Sequence, residues 1–384
     1  MAQVASEAKV GAGEAEVLAD GAGEVIGRSP TQLFWRRFRR DRYAIAGLTF
    51  IIILAALALG APVFAKLTSH GANEHFIYTG TAPDGLPLGP STKFWFGHDQ
   101  LGQDLFIRVL YGARTSMAVA IFATGVSVII GIILGLIAGF YRGWVDTLVS
   151  RIIDIMMTLP ILLLALGLAA VCASSPKGCL GGHLHVTGTP GLVMWVVAAA
   201  FAALGLYRIG RHHAGSGVMV LLVAAGFALT HFRVAVPSIQ PGLTLVILII
   251  AFANWTYIAR IVRGQVLSLR EKEFVESSYA TGATDIRIML REILPNVAMP
   301  IIVYSSLVIP ANILFEAALS YLGVGVPITT PSWGAMISDA TTGGLYLFAW
   351  WFMVFPGLFL FLTTFAFNLL GDGLRDALDP KTAK

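Results

Sequence analysis

Four groups of residues could do chemistry in this chain, and each points to a different kind. Glu276 and Gly282 sit in EFVESSYATGATDIRIMLREILPN (273–296), a polar, glycine-broken stretch of an otherwise apolar sequence. Glu316 is the only carboxylate of NILFEAALSYLG, and a carboxylate inside a membrane segment is functional or paired by default. Asp154 stands an i, i+3 step from Arg151, which reads as a structural pair. Cys172 and Cys179, the only two cysteines, bracket CASSPKGC and are followed by His183 and His185. A Cys172–Cys179 disulfide is the expectation there, since the topology below puts both outside, where disulfides persist. A zinc site is disfavoured by the spacing.

Hydrolytic chemistry is not encoded. No Ser-His-Asp, paired-carboxylate or Cys-His arrangement recurs at meaningful spacing. Nor is there a G-x-x-x-x-G-K-[ST] loop, or any Gly-Lys pair, to cradle a nucleotide phosphate. The basic residues flank hydrophobic runs and form no patch with interleaved aromatics, so nucleic acid is excluded as a partner.

The elements that must position these residues are membrane helices. Of 384 residues 56% are hydrophobic and 12% charged, about half the charge of a typical soluble domain. Several nearly charge-free runs exceed the length needed to cross about 30 Å of hydrocarbon, and helices satisfy their own backbone there. The fold class is therefore an all-α polytopic membrane protein. Residues 1–30 read as a disordered tail and 31–43, with Arg36, Arg37, Arg39, Arg40 and Arg42, as a basic interfacial helix. Spans are expected at 44–65, 115–139, 147–171, 190–210, 217–233, 240–262, 297–322 and 345–370. Between them lie an external segment (66–114) and a cytoplasmic loop (271–296), and 372–384 forms a tail. Arginines at 142, 151, 263, 270, 287 and 291 put that loop's side, and both termini, in the cytoplasm. Gly131, Gly135 and Gly139 share one helical face and predict a tight helix contact, with a sister subunit as one candidate partner.

Within 271–296 the apolar residues Ile286, Met289, Leu290 and Ile293 form one helical stripe, with Thr284 as its expected N-cap and Asp285 in the first turn. Helix, glycine hinge and helix then lead to Pro295 at the next membrane entry. A structured connector of this length suits docking into a partner's groove.

The run from Glu276 to Gly282, with Leu294 and Pro295, resembles the Glu-Ala-Ala-x-x-x-Gly loop of ABC importer permeases, with Ser277 and Ser278 replacing the usual alanines and Glu292 where this branch often has His. Six further blocks extend the resemblance to the C-type permeases of dipeptide and oligopeptide importers. They are FWRRFRRDR (34–42), GHDQLGQDLFIRVLYGARTS (97–116), GFYRGWVDTLVSRIIDIMMTLP (139–160), EAALSYLGVGV (316–326), PSWG (331–334) and FNLLGDGLRDALDP (367–380). The resemblance implies a six-helix permease core over 115–371, interrupted by an inserted hairpin within 173–238 that makes about eight spans. It also implies a homologous second permease, two ATPase subunits that bind the ATP and Mg, and an external solute-binding protein, in a prokaryotic inner membrane. No cofactor would sit on this chain. Coupling to the ATPases would fall to Glu276, Ser277, Ser278, Gly282, Ala283, Asp285, Leu294 and Pro295, and Glu316 would be a candidate for the translocation path. Short peptides are the implied cargo. Nickel or another small solute is the rival within the family, and a secondary transporter or a docking scaffold are the rivals outside it.

Overall fold

The computed structural model of the chain describes residues 30–174, 242–327 and 329–378. Among them the long elements are all helical, with two isolated β-bridges in the 69–104 segment. Helix α1 (Pro30–Phe38) is short and α2 (Arg42–Thr68) is long. After the 69–104 segment come α3 (Leu105–Tyr141), α4 (Trp144–Thr158) and α5 (Ile161–Ser174). The second half holds α6 (Leu243–Leu269), α7 (Glu273–Ala280), α8 (Asp285–Tyr321), α9 (Trp333–Thr341) and α10 (Trp350–Leu378).

Five of these helices, α2, α3, α6, α8 and α10, are long and apolar enough to cross a membrane. The expected third span, 147–171, is not one rod. It breaks at Leu159-Pro160, and α4 and α5 meet at 88°. Proline lacks the N–H that would continue the ladder and pushes the preceding residue out of helical geometry, and Leu159 is extended (φ −78°, ψ 132°). The α4–α5 pair is a broken span or a re-entrant loop, so the described residues supply five or six crossings where six of the eight expected spans fall. The expected spans at 190–210 and 217–233, with nearly all of the 173–238 insertion, lie outside the described residues, as do Cys179 and hence the Cys172–Cys179 pairing.

Other boundaries shift for identifiable reasons. Helix α3 starts ten residues before the apolar run at 115, because Asp104 caps it: Oδ1 accepts from the backbone N–H of Phe106 at 2.9 Å. Arg108, within the 66–114 stretch expected to be an external segment, is 5% exposed inside that first turn and paired with Asp99. The basic 31–43 segment divides into α1 and the start of α2, where Asp41 caps the second piece through Tyr43 and Ala44. Phe38 is buried with Ala44 and Ala377, which carries α10 on to Leu378 where a tail was expected.

The glycine stripe of α3 packs against a helix of the same chain rather than another subunit. A methyl at Gly131, Gly135 or Gly139 would come within 2.7 Å of Ile258, Val262 or Val266 respectively. Both series ascend, so α3 and α6 run parallel along this seam. Helix α2 runs the other way beside α10, with Ala44 against Gly373 and Gly47 against Ala366. His70 after α2 meets Asp104 before α3, so α1, the end of α10 and the 271–296 loop share one end of the bundle.

Candidate functional site

Two places gather the chemistry. The first is the 271–296 loop. Its inner face closes the bundle end: Val275, Ile288 and Ile293 are fully buried against Phe140, Val262 and Val266. The Tyr279 ring stacks on Phe140 at 6.3 Å, and Arg270 donates to the Phe140 carbonyl. Burial, with the Asp285 carboxylate second, holds the Tyr279 phenol above its ordinary pKa. Arg142 and Glu271 pair on the exposed rim, and the hydrogen bond from Arg142 holds the Glu271 carboxyl below its ordinary value.

The expected apolar stripe is thus shared between two faces. Met289 and Ile293 pack inward, while Ile286 (64% exposed) and Leu290 (53% exposed) stay open beside a partly exposed Phe274. The reason is a π-helical stretch, Ile288–Ile293, in which the Leu294 N–H reaches back to the Met289 carbonyl. Pro295 offers no N–H to Arg291, and a wider turn ahead of it lets α8 continue unbroken. Pro295 therefore lies inside one helix from Asp285 to Tyr321 rather than opening a new one. Thr284 has N-cap backbone angles, but its side chain makes no capping bond.

Glu276 is exposed and free to meet a partner. Ser277 and Ser278 return their hydroxyls to the carbonyls of Glu273 and Phe274 at 2.8 and 2.9 Å. Their polar atoms are thereby satisfied within α7, so they present little more to a docking surface than alanine would. Gly282 ends α7 at φ +81°, in the left-handed region, and a methyl there would meet nothing within 4 Å. Its conformation, not crowding, requires glycine. Ala283 packs on the buried cluster, and Leu294 is half-buried in it.

The second place is the opposite end. Glu316 is 0% exposed, which excludes a merely solvated carboxylate. Its Oε1 accepts from the Ser320 hydroxyl at 2.8 Å, while its Oε2 and the Ser116 hydroxyl are buried with no hydrogen-bond partner among the described residues. Ser332 caps α9 by accepting from the Ala335 N–H at 3.2 Å. EAALSYLGVGV and PSWG, separated by only four residues in the sequence, fold back on each other here, and a methyl at Gly334 would lie 2.2 Å from the Ala317 carbonyl oxygen. Nearby, His70 Nδ1 lies 2.6 Å from Asp104 Oδ2 and Asp99 Oδ2 lies 3.1 Å from Arg108 Nε. Composition gave no hint of this network, although the His-Asp-Gln and Gln-Asp pairs of GHDQLGQD were its signal.

Asp154 does not pair with Arg151. It binds Arg260 of α6 at 3.1 Å, and Asp146 binds Arg263, so α4 is tied to α6 across a cleft of about 390 Å³. An i, i+3 reading considers only the helix's own surface, whereas the helix packed beside it supplies the better cation.

Residues 131–384 match the family described as the inner membrane component of binding-protein-dependent transport systems. Residues 29–79 match the N-terminal transmembrane domain of oligopeptide transport permease C. The chain belongs to the ABC importer permeases of the oligopeptide and dipeptide type. It is 37% identical over 355 residues to the glutathione transport system permease protein GsiD of Escherichia coli O6:K15:H31 (strain 536 / UPEC), covering 92% of this chain and 91% of that one. The same figures hold for the GsiD proteins of Shigella boydii serotype 4 (strain Sb227) and Shigella sonnei (strain Ss046). The chain is a multi-pass inner membrane component, and permeases of this family are transport components served by ATPase and binding-protein partners.

Proposed function

We propose that this permease imports short peptides, together with a homologous second permease, two ATPase subunits seated on the 271–296 loop, and an external binding protein that delivers the cargo. The observation that carries the reading is the two-faced loop: Val275, Ile288 and Ile293 fix it to the bundle, while Phe274, Glu276, Ile286 and Leu290 remain open on its outer side. Such a surface suits a helix-in-groove contact, in which a few apolar anchors fill a partner's cleft. Arg142, Arg263, Arg270, Lys272, Arg287 and Arg291 cluster at this end, whereas 323–344 has no Lys or Arg, so the loop faces the cytoplasm and both termini with it.

The relatives' names specify glutathione, a tripeptide, which supports small peptides as cargo here. ATP binding would draw the loops together and switch the bundle, and the cargo would shift that equilibrium only by its difference in affinity for the two states.

The test is uptake of labelled di- and tripeptides into vesicles holding the complete importer. ATP-dependent uptake requiring the binding protein supports the reading. Uptake driven by an ion gradient without ATP contradicts it, and ATP-driven uptake of nickel but not peptide overturns the cargo assignment alone.

A further inference from the structure

The middle of the bundle holds a line of amide and hydroxyl groups that neither the loop nor the Glu316 end uses. Thr124 of α3 donates its hydroxyl to the Ala120 carbonyl at 2.7 Å, so the same oxygen can only accept from Asn312 Nδ2 of α8, 2.8 Å away. Asn312 Oδ1 then accepts from Asn254 Nδ2 of α6 at 2.9 Å, and Asn254 Nδ2 also donates to the Ile250 carbonyl at 3.1 Å. A backbone carbonyl cannot donate, so Ala120 at one end and Ile250 at the other fix the direction of every bond between them. Both Nδ2 hydrogens of Asn254 are spent inward. Its Oδ1 has no donor among the described residues, on a side chain that is partly exposed.

Asn254 lies near the middle of α6 and Thr124 near the middle of α3, and both helices are long and apolar enough to cross the membrane. The acceptor therefore stands well inside the crossing length. Hydrocarbon offers no donor, and an amide oxygen turned toward lipid would be costly. Polar side chains at such depth mark the bundle interior or a water-filled path. The surface around Asn254 continues toward the 271–296 loop. Tyr257, Ile261 and Gly264 follow it at steps of three and four residues, which places all four on one face of α6. Tyr257 is 41% exposed, and a methyl at Gly264 would meet nothing within 4 Å. This face runs beside the seam with α3, which Ile258, Val262 and Val266 fill.

We propose that Asn254 lines the translocation path and that its Oδ1 accepts a hydrogen bond from a backbone N–H of the passing peptide. The chemistry selects the occupant. An amide with only its acceptor left suits a group with an unspent N–H and is a poor match for a carboxylate or a phosphate. A short peptide has no helix to occupy its N–H groups, whereas a spanning helix of a sister permease uses its own internally. The bonds through Asn312 and Thr124 hold the amide so that its acceptor side alone is presented, which lowers the ordering cost of the contact. The proposal rests on the reading of this chain as part of a peptide importer.

The experiment uses the complete importer in vesicles, with one cysteine at a time added to the otherwise unchanged permease and the label located by mass spectrometry. Asn254→Cys is exposed to a small, positively charged methanethiosulfonate, which reacts with thiols that water reaches. The probe cargo is trialanine, or another thiol-free tripeptide if wild-type vesicles prefer it. Asn254→Cys is expected to be labelled, and to be protected when the peptide is supplied with the binding protein and ATP. Tyr257→Cys, one turn along the same face, is expected to behave alike, while Phe252→Cys, 47% exposed on the far side of α6, stays unlabelled. In a second readout, Asn254→Leu lowers uptake per ATP by about three- to tenfold, the weight of one hydrogen bond.

Failure of Asn254→Cys and Tyr257→Cys to label, with and without ATP, would place lipid or the sister permease over this face and overturn the proposal. So would labelling that the peptide does not reduce, equal labelling of Phe252→Cys, or unchanged uptake per ATP in Asn254→Leu. Substitution at Asn254 also leaves Asn312 Oδ1 buried without its donor. If those variants do not assemble, Tyr257→Cys, which leaves the amides untouched, decides the matter by the same outcomes. Wild-type vesicles without ATP-dependent uptake of any di- or tripeptide contradict the importer reading instead, and the two failures are distinguishable.

Discussion

Replacing Gly135 by alanine adds one methyl at the close seam between α3 and α6. That methyl would lie 2.7 Å from the Ala259 carbonyl oxygen and from Val262 Cβ, and 2.9 Å from Val262 Cγ1. Carbon atoms pack best at about 3.5–4.0 Å, so α3 and α6 must separate by roughly 1 Å or strain locally. Overpacking of this kind costs about 1–3 kcal/mol. Alanine also gains about 0.8–1.0 kcal/mol over glycine in a helix, which leaves Gly135→Ala with a net loss of up to about 2 kcal/mol. The control lies on the same helix. A methyl at Gly125 meets nothing within 4 Å, so Gly125→Ala keeps only the propensity gain of about 0.8–1.0 kcal/mol.

The two variants thus differ by the overpacking term, and about 1 kcal/mol moves a melting temperature by about 2–4 °C even in a large domain. Thermal unfolding of the full-length chain in mild detergent, followed by loss of its monodisperse chromatographic peak, reads the difference. Gly135→Ala is expected to melt several degrees below Gly125→Ala. Equal melting temperatures would refute the close parallel packing of α3 on α6.

Three further outcomes follow from side chains at other levels of the bundle. Asn312, 1% exposed, accepts from Asn254 and donates to Thr124, yet Asn254 also donates to the Ile250 carbonyl and Thr124 to that of Ala120. Asn312→Leu orphans neither neighbour, so unfolding titration should show a loss under about 2 kcal/mol. The Asp146–Arg263 pair is the more buried and Asp154–Arg260 the more exposed, so Asp146→Asn should lower the melting temperature further than Asp154→Asn, whose effect should be close to zero. Burial lowers the His98 pKa from 6.5, against weaker upward pulls from the Leu88 carbonyl, Asp104 and Asp99. The stability contributed by neutral His98 is present above pH 6.5 and is lost as pH falls through the lowered value. Protease protection of the 69–104 segment should therefore fall on acidification below pH 6.5, and by less in His98→Gln.

Much of the bundle was legible in the sequence because hydropathy directly reports length in hydrocarbon. The five long helices coincide with apolar runs, and the Gly131, Gly135 and Gly139 spacing announced a close contact, though not its partner. Boundaries were harder. Asp104 and Asp41 cap helices through local side-chain bonds that no hydropathy window registers. The bend at Leu159-Pro160 was foreshadowed by proline, but proline alone does not say whether a helix kinks or turns through 88°. At the loop, the glycine hinge expected at Gly282 is present at φ +81°, while the division of Ile286, Met289, Leu290 and Ile293 between two faces depends on a π turn that a regular helical period does not represent. The burial of Glu316 was illegible for a different reason: its one hydrogen-bond donor, Ser320, is an ordinary residue until the fold encloses that carboxyl between α3, α8 and α9.

The central claim is that the outer side of the 271–296 loop is where ATPase subunits sit. It is tested most directly by placing a photo-crosslinking amino acid at Leu290, irradiating native membranes, and sequencing the adducts. Tyr346, 42% exposed near the other end of the bundle, serves as the control position. An adduct from Leu290 with a subunit bearing a G-x-x-x-x-G-K-[ST] nucleotide loop, and none from Tyr346, is the predicted result. ATPase adducts from Tyr346 and not from Leu290, or no ATPase adduct from either, would contradict the account.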